Sequence, residues 1–63
     1  MDDLMDLINA QEELTKVEYR IERLQMLEED YVENEEYEKA QMMLNEQRRL
    51  RKKRTMLKKK LKK

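Results

Sequence analysis

The chain has 63 residues, 48% of them charged, and contains no Gly, Pro, Cys, His, Trp, Phe or Ser. Without Cys or His it can form neither a disulfide nor a typical zinc site, so we expect so small a domain to need a partner for stability. The usual nucleophiles and near-neutral bases are also missing, and we therefore expect no enzyme activity, metal or other cofactor.

The formal net charge is zero, but the charges are segregated along the chain. Residues 1–47 contain all 15 acidic residues and four basic ones, whereas residues 48–63 contain eleven basic residues and no acidic one. The longest apolar run, Met42–Leu44, is far too short for a membrane span or a signal-peptide core. We expect a cytoplasmic protein, or one of the host cytoplasm or virion if a phage encodes it, and we do not expect membrane binding.

The first predicted element is a helix over about residues 2–32. Helix-favouring residues dominate the composition and the strongest helix breakers are absent, so the local preference is helical. Apolar residues recur at alternating steps of three and four, which is the heptad seam of a coiled coil. The residues of this seam are Leu7, Ala10, Leu14, Val17, Ile21, Leu24, Leu27 and Tyr31.

The seam loses its phase at about residues 33–35, where we predict a turn. Heptad positions continued from Tyr31 are mostly polar. Asn34 can cap a new helix, and Glu35 and Glu36 suit the first turn of that helix. One long helix is the alternative, and the lack of glycine favours it because helices often end at glycine. The phase break leads us to favour a hairpin.

The second predicted helix spans about residues 36–62 and has a weaker seam. Gln47 and Arg54 occupy core-type positions in it, a pattern that often fixes register or partner choice. The other seam residues are Tyr37, Ala40, Met43 or Leu44, Leu50, Leu57 and Leu61. The predicted fold is all-α: residues 1–63 form a single two-helix antiparallel coiled-coil hairpin, which we expect to dimerise into a four-helix bundle.

The residues around the predicted turn resemble the UVR motif over about Leu24–Arg51, chiefly in Asn34–Ala40. Tyr37 stands at the aromatic position of that motif and Glu38 at its acidic position, while Gln41 replaces its second alanine. In the B and C subunits of bacterial excision nucleases and in Clp-type unfoldases and their adaptors, the motif forms a helical hairpin that mediates protein contacts. The resemblance implies such a hairpin here.

We expect a non-catalytic protein–protein interaction module: a small adaptor, inhibitor or assembly factor that forms a homodimer and binds another protein. The first candidate surface, the tip, comprises Tyr31, Val32, Glu35, Glu36, Tyr37 and Glu38. The second, the association face, comprises apolar residues outside the hairpin seam: Leu4, Met5, Ile8, Tyr19 and Met26. Two simpler interpretations are that the tip tyrosines only pack on each other, and that the association face is scattered exposed side chains.

An alternative function is sequence-independent binding of nucleic acid through the basic C-terminal residues. Each base that contacts a phosphate would release counterions and make binding sensitive to salt. These residues are Arg48, Arg49, Arg51, Lys52, Lys53, Arg54, Lys58, Lys59, Lys60, Lys62 and Lys63. The simpler interpretation is a solvated helix face, or one paired with the acids of the first helix. A structural or scaffold component of a phage or other assembly is a further alternative.

Folding into a hairpin would also separate the charges in space. The open end, formed by residues 1–20 and 48–63, would carry +7, and the turn end, formed by residues 21–47, would carry −7. Two copies lying antiparallel would set each acidic end against a basic one. Complementary charge of this kind favours one orientation of a dimer.

Overall fold

The computed structural model describes residues 3–62, which form two helices joined by a short connection. Helix α1 spans Asp3–Glu33 and helix α2 spans Tyr37–Leu61. The two helices lie antiparallel in a rod with principal extents of 51 × 14 × 13 Å. The predicted all-α hairpin is confirmed, and no strand occurs between residues 3 and 62. Dimerisation into a four-helix bundle stays a prediction.

The core lies along the seam between α1 and α2. Its buried apolar residues are Ala10, Val17, Ile21, Leu24, Ala40 and Leu57. Leu14, Leu50 and Leu61 are partly buried against the cluster at the open end. The buried positions of α1 follow the steps of three and four expected for a coiled-coil seam.

The prediction is wrong for three seam residues, which the structure places outside the core. Leu7 is exposed because α2 ends before it reaches the level of Leu7. Leu27 is exposed because the heptad phase slips there, so that its side chain lies at the edge of the seam. Tyr37 is 62% exposed because, as the first residue of α2, it lies beyond the contact between the helices.

Helix α1 is longer than α2 and extends past its end. It has 31 residues, whereas α2 has 25. Counted back from the connection, Leu61 at the end of α2 lies level with about Asn9 of α1. The first turns of α1 therefore have no helix beside them, and their apolar side chains are exposed. We call the exposed residues Leu4, Met5, Leu7 and Ile8 the overhang.

The connection, residues 34–36, ends α1 in a Schellman motif. The backbone N–H of Glu36 donates to the carbonyl oxygen of Tyr31 at 2.7 Å, and the N–H of Glu35 donates to that of Val32 at 3.0 Å. Glu35 has φ = 60°, the left-handed conformation that this motif requires and that glycine usually supplies. The chain thus ends a helix without glycine.

The predicted cap of α2 is wrong. The N–H of Asn34 donates to the carbonyl oxygen of Asp30 at 3.1 Å, so Asn34 completes α1. Glu36 precedes α2 and makes no side-chain capping bond, and Glu35 is also outside the first turn of α2. The Schellman bonds extend α1 to Glu33 and place the turn one residue later than expected.

Candidate interaction surfaces

A polar cluster lies between the helices in the half of the hairpin nearer the connection. Gln47 is only 1% exposed, and its Nε2 donates to Oε1 of Glu28 on α1 at 2.8 Å. Nη2 of Arg51, one turn further along α2, donates to Oε1 of Gln47 at 3.4 Å. Both ends of the Gln47 amide are therefore paired within the hairpin. The bond to Glu28 fixes the register of α2 against α1, so we interpret Gln47 as a residue that sets the pairing of the two helices.

Arg54, the other polar residue predicted in the seam, lies at its edge. Its side chain is half-buried and lines a groove with Glu18, Tyr19 and Glu22. The long aliphatic part of an arginine can cover apolar surface while its guanidinium group stays in water. Arg54 thus covers the seam without entering the core.

One ion pair joins α1 to α2 within the described part of the chain. Nζ of Lys53 lies 2.7 Å from Oε1 of Glu13, and both side chains are about half exposed. The hydrogen bond from Lys53, followed by the attraction of its positive charge, lowers the pKa of the Glu13 carboxyl below its ordinary value. The basic half of α2 is therefore anchored to α1 at this point.

The two tyrosines of the tip differ in their exposure to solvent. Tyr31 is half-buried, and Nζ of Lys39 lies 5.8 Å from the centroid of its ring, within the range of a cation–π contact. The same Nζ lies 3.1 Å from Oε1 of Glu36. Lys39 was not among the predicted tip residues, although its position three residues after a glutamate suits an ion pair across one helical turn.

The other predicted tip residues are in solvent. Tyr37 is mostly exposed, so it does not close the hairpin by packing into it. The remaining exposed members are Val32, Glu35, Glu36 and Glu38. The tip is therefore an acidic surface with one accessible aromatic ring and one half-buried ring covered by a lysine.

All five residues of the association face are exposed on α1. Met5, Tyr19 and Met26 recur at multiples of seven on the side away from α2, and each is about 60% exposed. Leu4 and Ile8 belong to the overhang and adjoin Met5. Leu7, which we predicted in the seam, adds to the same end of α1. Two exposed methionines on α2, Met42 and Met56, were not predicted as surface features.

The basic residues in the second half of α2 are mostly exposed, and most of them form no ion pair with an acid that the structure describes. Arg51 and Arg54 are half-buried, whereas the rest are exposed, except Lys63, which lies outside the described residues. Within the described part, Lys53 alone among them forms an ion pair. Apart from Glu13, the acids of α1 whose side chains the structure describes therefore do not neutralise this part of α2 by direct contact.

Residues 3–62 contain no group of three or more acidic side chains placed to hold a metal ion. Neither α1 nor α2 offers an apolar stretch sufficient to cross a membrane. The chain was compared with protein-family models, curated proteins and solved structures, and none of them matches it. The resemblance to the UVR motif thus stays a prediction.

Proposed function

We propose that this chain is a non-catalytic protein-interaction module of the cytoplasm that pairs with a second copy and presents helical surface to another protein. The observation that carries this proposal is the association face, which leaves large apolar side chains of α1 in water. Apolar area removed from water contributes roughly 25 cal/mol per Å², so covering this face favours association.

The arrangement of charge favours a second copy of this chain as the partner that covers the association face. The hairpin has opposite charges at its two ends, and an antiparallel neighbour places an acidic end beside each basic one. Met5, Tyr19 and Met26 lie along one side of α1, so two copies can align their α1 helices lengthwise. The result is a dimer of four helices in which the two α1 helices lie side by side between the two α2 helices.

The tip remains available to a different protein in this arrangement. Its exposed glutamates and Tyr37 suit a basic groove with room for one aromatic side chain, since aromatic residues are often the anchors of protein interfaces. The resemblance of this segment to the UVR motif supports the same role. Adaptor, inhibitor and assembly factor are all compatible with this surface.

The association face is tested by measuring molar mass. Sedimentation equilibrium at about 1 to 100 µM should give twice the 7.9 kDa of one chain. The double substitution Met5→Gln with Met26→Gln should give a folded monomer, because it replaces two apolar side chains of the interface by polar ones.

The matched control is Met42→Gln with Met56→Gln, which makes the same chemical change at two exposed positions of α2. This variant should remain a dimer. A wild-type protein that is a folded monomer at the highest concentration would contradict the proposed dimer. Equal dissociation of both double variants would contradict its location on α1.

A further inference from the structure

The C-terminal half of α2 carries a high density of exposed positive charge. Seven exposed bases form no ion pair with any residue that the structure describes. We call them the basic face: Arg48, Arg49, Lys52, Lys58, Lys59, Lys60 and Lys62. No Asp or Glu lies between Arg48 and Lys62, so no acid within this segment of the chain reduces its positive potential.

The length of the basic face along the helix axis is comparable to that of a short run of phosphates in a nucleic-acid strand. Residues 48–62 extend about 21 Å along the helix at 1.5 Å per residue. One strand of duplex nucleic acid carries a charge about every 3.4 Å along its axis, so the same length faces roughly six phosphates. Five of these bases, Arg48, Arg49, Lys52, Lys59 and Lys60, lie on the side of α2 away from α1, so their number approaches that of the phosphates within reach.

The composition of this surface favours a nucleic acid over a membrane. An interfacial helix needs an apolar side to enter the lipid, but Met56 is the one exposed apolar residue among the described bases of the basic face. The surface also has no aromatic residue for base stacking and no Asn or Gln to bond a base edge. We expect such a surface to contact chiefly the phosphate backbone, which carries no sequence information directly.

We infer that the basic face of α2 binds the phosphate backbone of duplex nucleic acid independently of base sequence. Arg49, Lys52 and Lys59 lie on the side of α2 away from α1 and make its central contacts. This inference does not rest on the proposed dimer, since the association face lies on α1.

The test is fluorescence anisotropy with a labelled duplex DNA of about 30 base pairs, over about 50 to 200 mM NaCl. We expect two unrelated sequences to bind equally, with the logarithm of the binding constant falling against the logarithm of salt with a slope of about −5. The triple variant Arg49→Gln, Lys52→Gln and Lys59→Gln should lower the magnitude of that slope by about 3.

The matched control removes three bases from α1: Lys16→Gln, Arg20→Gln and Arg23→Gln. It changes the net charge by the same amount and should keep the slope within about one unit of the wild type. Circular dichroism of both variants should show that they remain helical, so that a loss of binding reports on the surface and not on folding.

Three results would overturn the inference. If no binding to DNA is detected at the lowest salt, the basic face is not a polyanion site. If both triple variants lose the same amount of DNA affinity, binding depends on net charge alone and not on the basic face. Binding of vesicles with anionic headgroups but not of DNA assigns the basic face to membranes. Sedimentation of the same variants separates this inference from the dimer, because the triple variant of α2 should bind DNA poorly and still dimerise.

Discussion

Glu35 is the residue at which the connection departs most from ordinary backbone geometry. Its φ of 60° places it in the left-handed region, where the side chain of an L-amino acid crowds the following carbonyl oxygen. The Schellman motif requires this conformation at the residue after the helix cap. The hairpin therefore forms with a local strain that a glycine would not have.

Replacing Glu35 by glycine should stabilise the hairpin. Glycine relieves the strain but adds freedom to the unfolded chain, so the net increase in the free energy of unfolding should be about 0.5 to 1 kcal/mol. Urea denaturation followed by circular dichroism measures this difference. The control is Glu36→Gly, which removes the same charge at a residue with φ = −94° and should not stabilise. Equal stabilisation by both variants would point to charge and not to backbone strain.

Between the helices, Gln47 is the seam residue whose replacement tests the polar cluster most directly. Gln47→Ala leaves a gap in the core and removes the bonds to Glu28 and Arg51, so we expect a loss of about 1 to 3 kcal/mol in the free energy of unfolding. Gln41→Ala makes the same change at an exposed position of α2 and should alter stability by less than about 0.5 kcal/mol. Urea midpoints of the two variants measure the difference, and equal midpoints would contradict the role of Gln47.

The contact between Glu13 and Lys53 should make the pairing of the helices depend on pH. Because the pKa of Glu13 is lowered in the folded chain, the pair stabilises the hairpin above the ordinary pKa of a glutamate and loses that effect as pH falls through the lowered value. Glu13→Gln should therefore lower the thermal midpoint at neutral pH and leave it nearly unchanged in strong acid.

The control for this pH dependence is Glu12→Gln. It removes one acidic charge from the adjacent position, where the described structure contains no ion pair. Its effect on the thermal midpoint should be smaller than that of Glu13→Gln at neutral pH. A difference between Glu13→Gln and the wild type that persists unchanged into strong acid would show that the contact with Lys53 is not its source.

The hairpin could be predicted from the sequence because the heptad seam changes phase near Asn34, and the burial of Gln47 followed from its place in the second seam. The position of the turn could not be predicted as well, because a Schellman motif closed by glutamate leaves no glycine to mark it. The pairing of Lys53 with Glu13 also escaped prediction. Long side chains select among several neighbours, and the choice depends on how the two helices are rotated.

For the molecule as a whole, the separation of charge links the two proposed associations. Like charges crowd each end of the rod and repel one another, which opposes the compact state. A second copy lying antiparallel, or a polyanion on the basic face, would reduce this repulsion. Lys39 is the one ion-pair partner of the acidic tip within the described residues. A basic partner protein would therefore also reduce the repulsion among the glutamates of the tip.

The connection also determines the order in which the hairpin forms. The contact of Tyr31 with Lys39 closes a short loop, the bond of Glu28 with Gln47 spans 19 residues, and the pair of Glu13 with Lys53 spans more. The entropy lost on closing a loop grows with its length, so we expect the helices to zip from the turn towards the open end. Opening should follow the reverse order and free the overhang and the last turns of α2 first. The overhang and most of the basic face thus lie on the part of the hairpin that forms last, whereas the tip lies on the part that forms first.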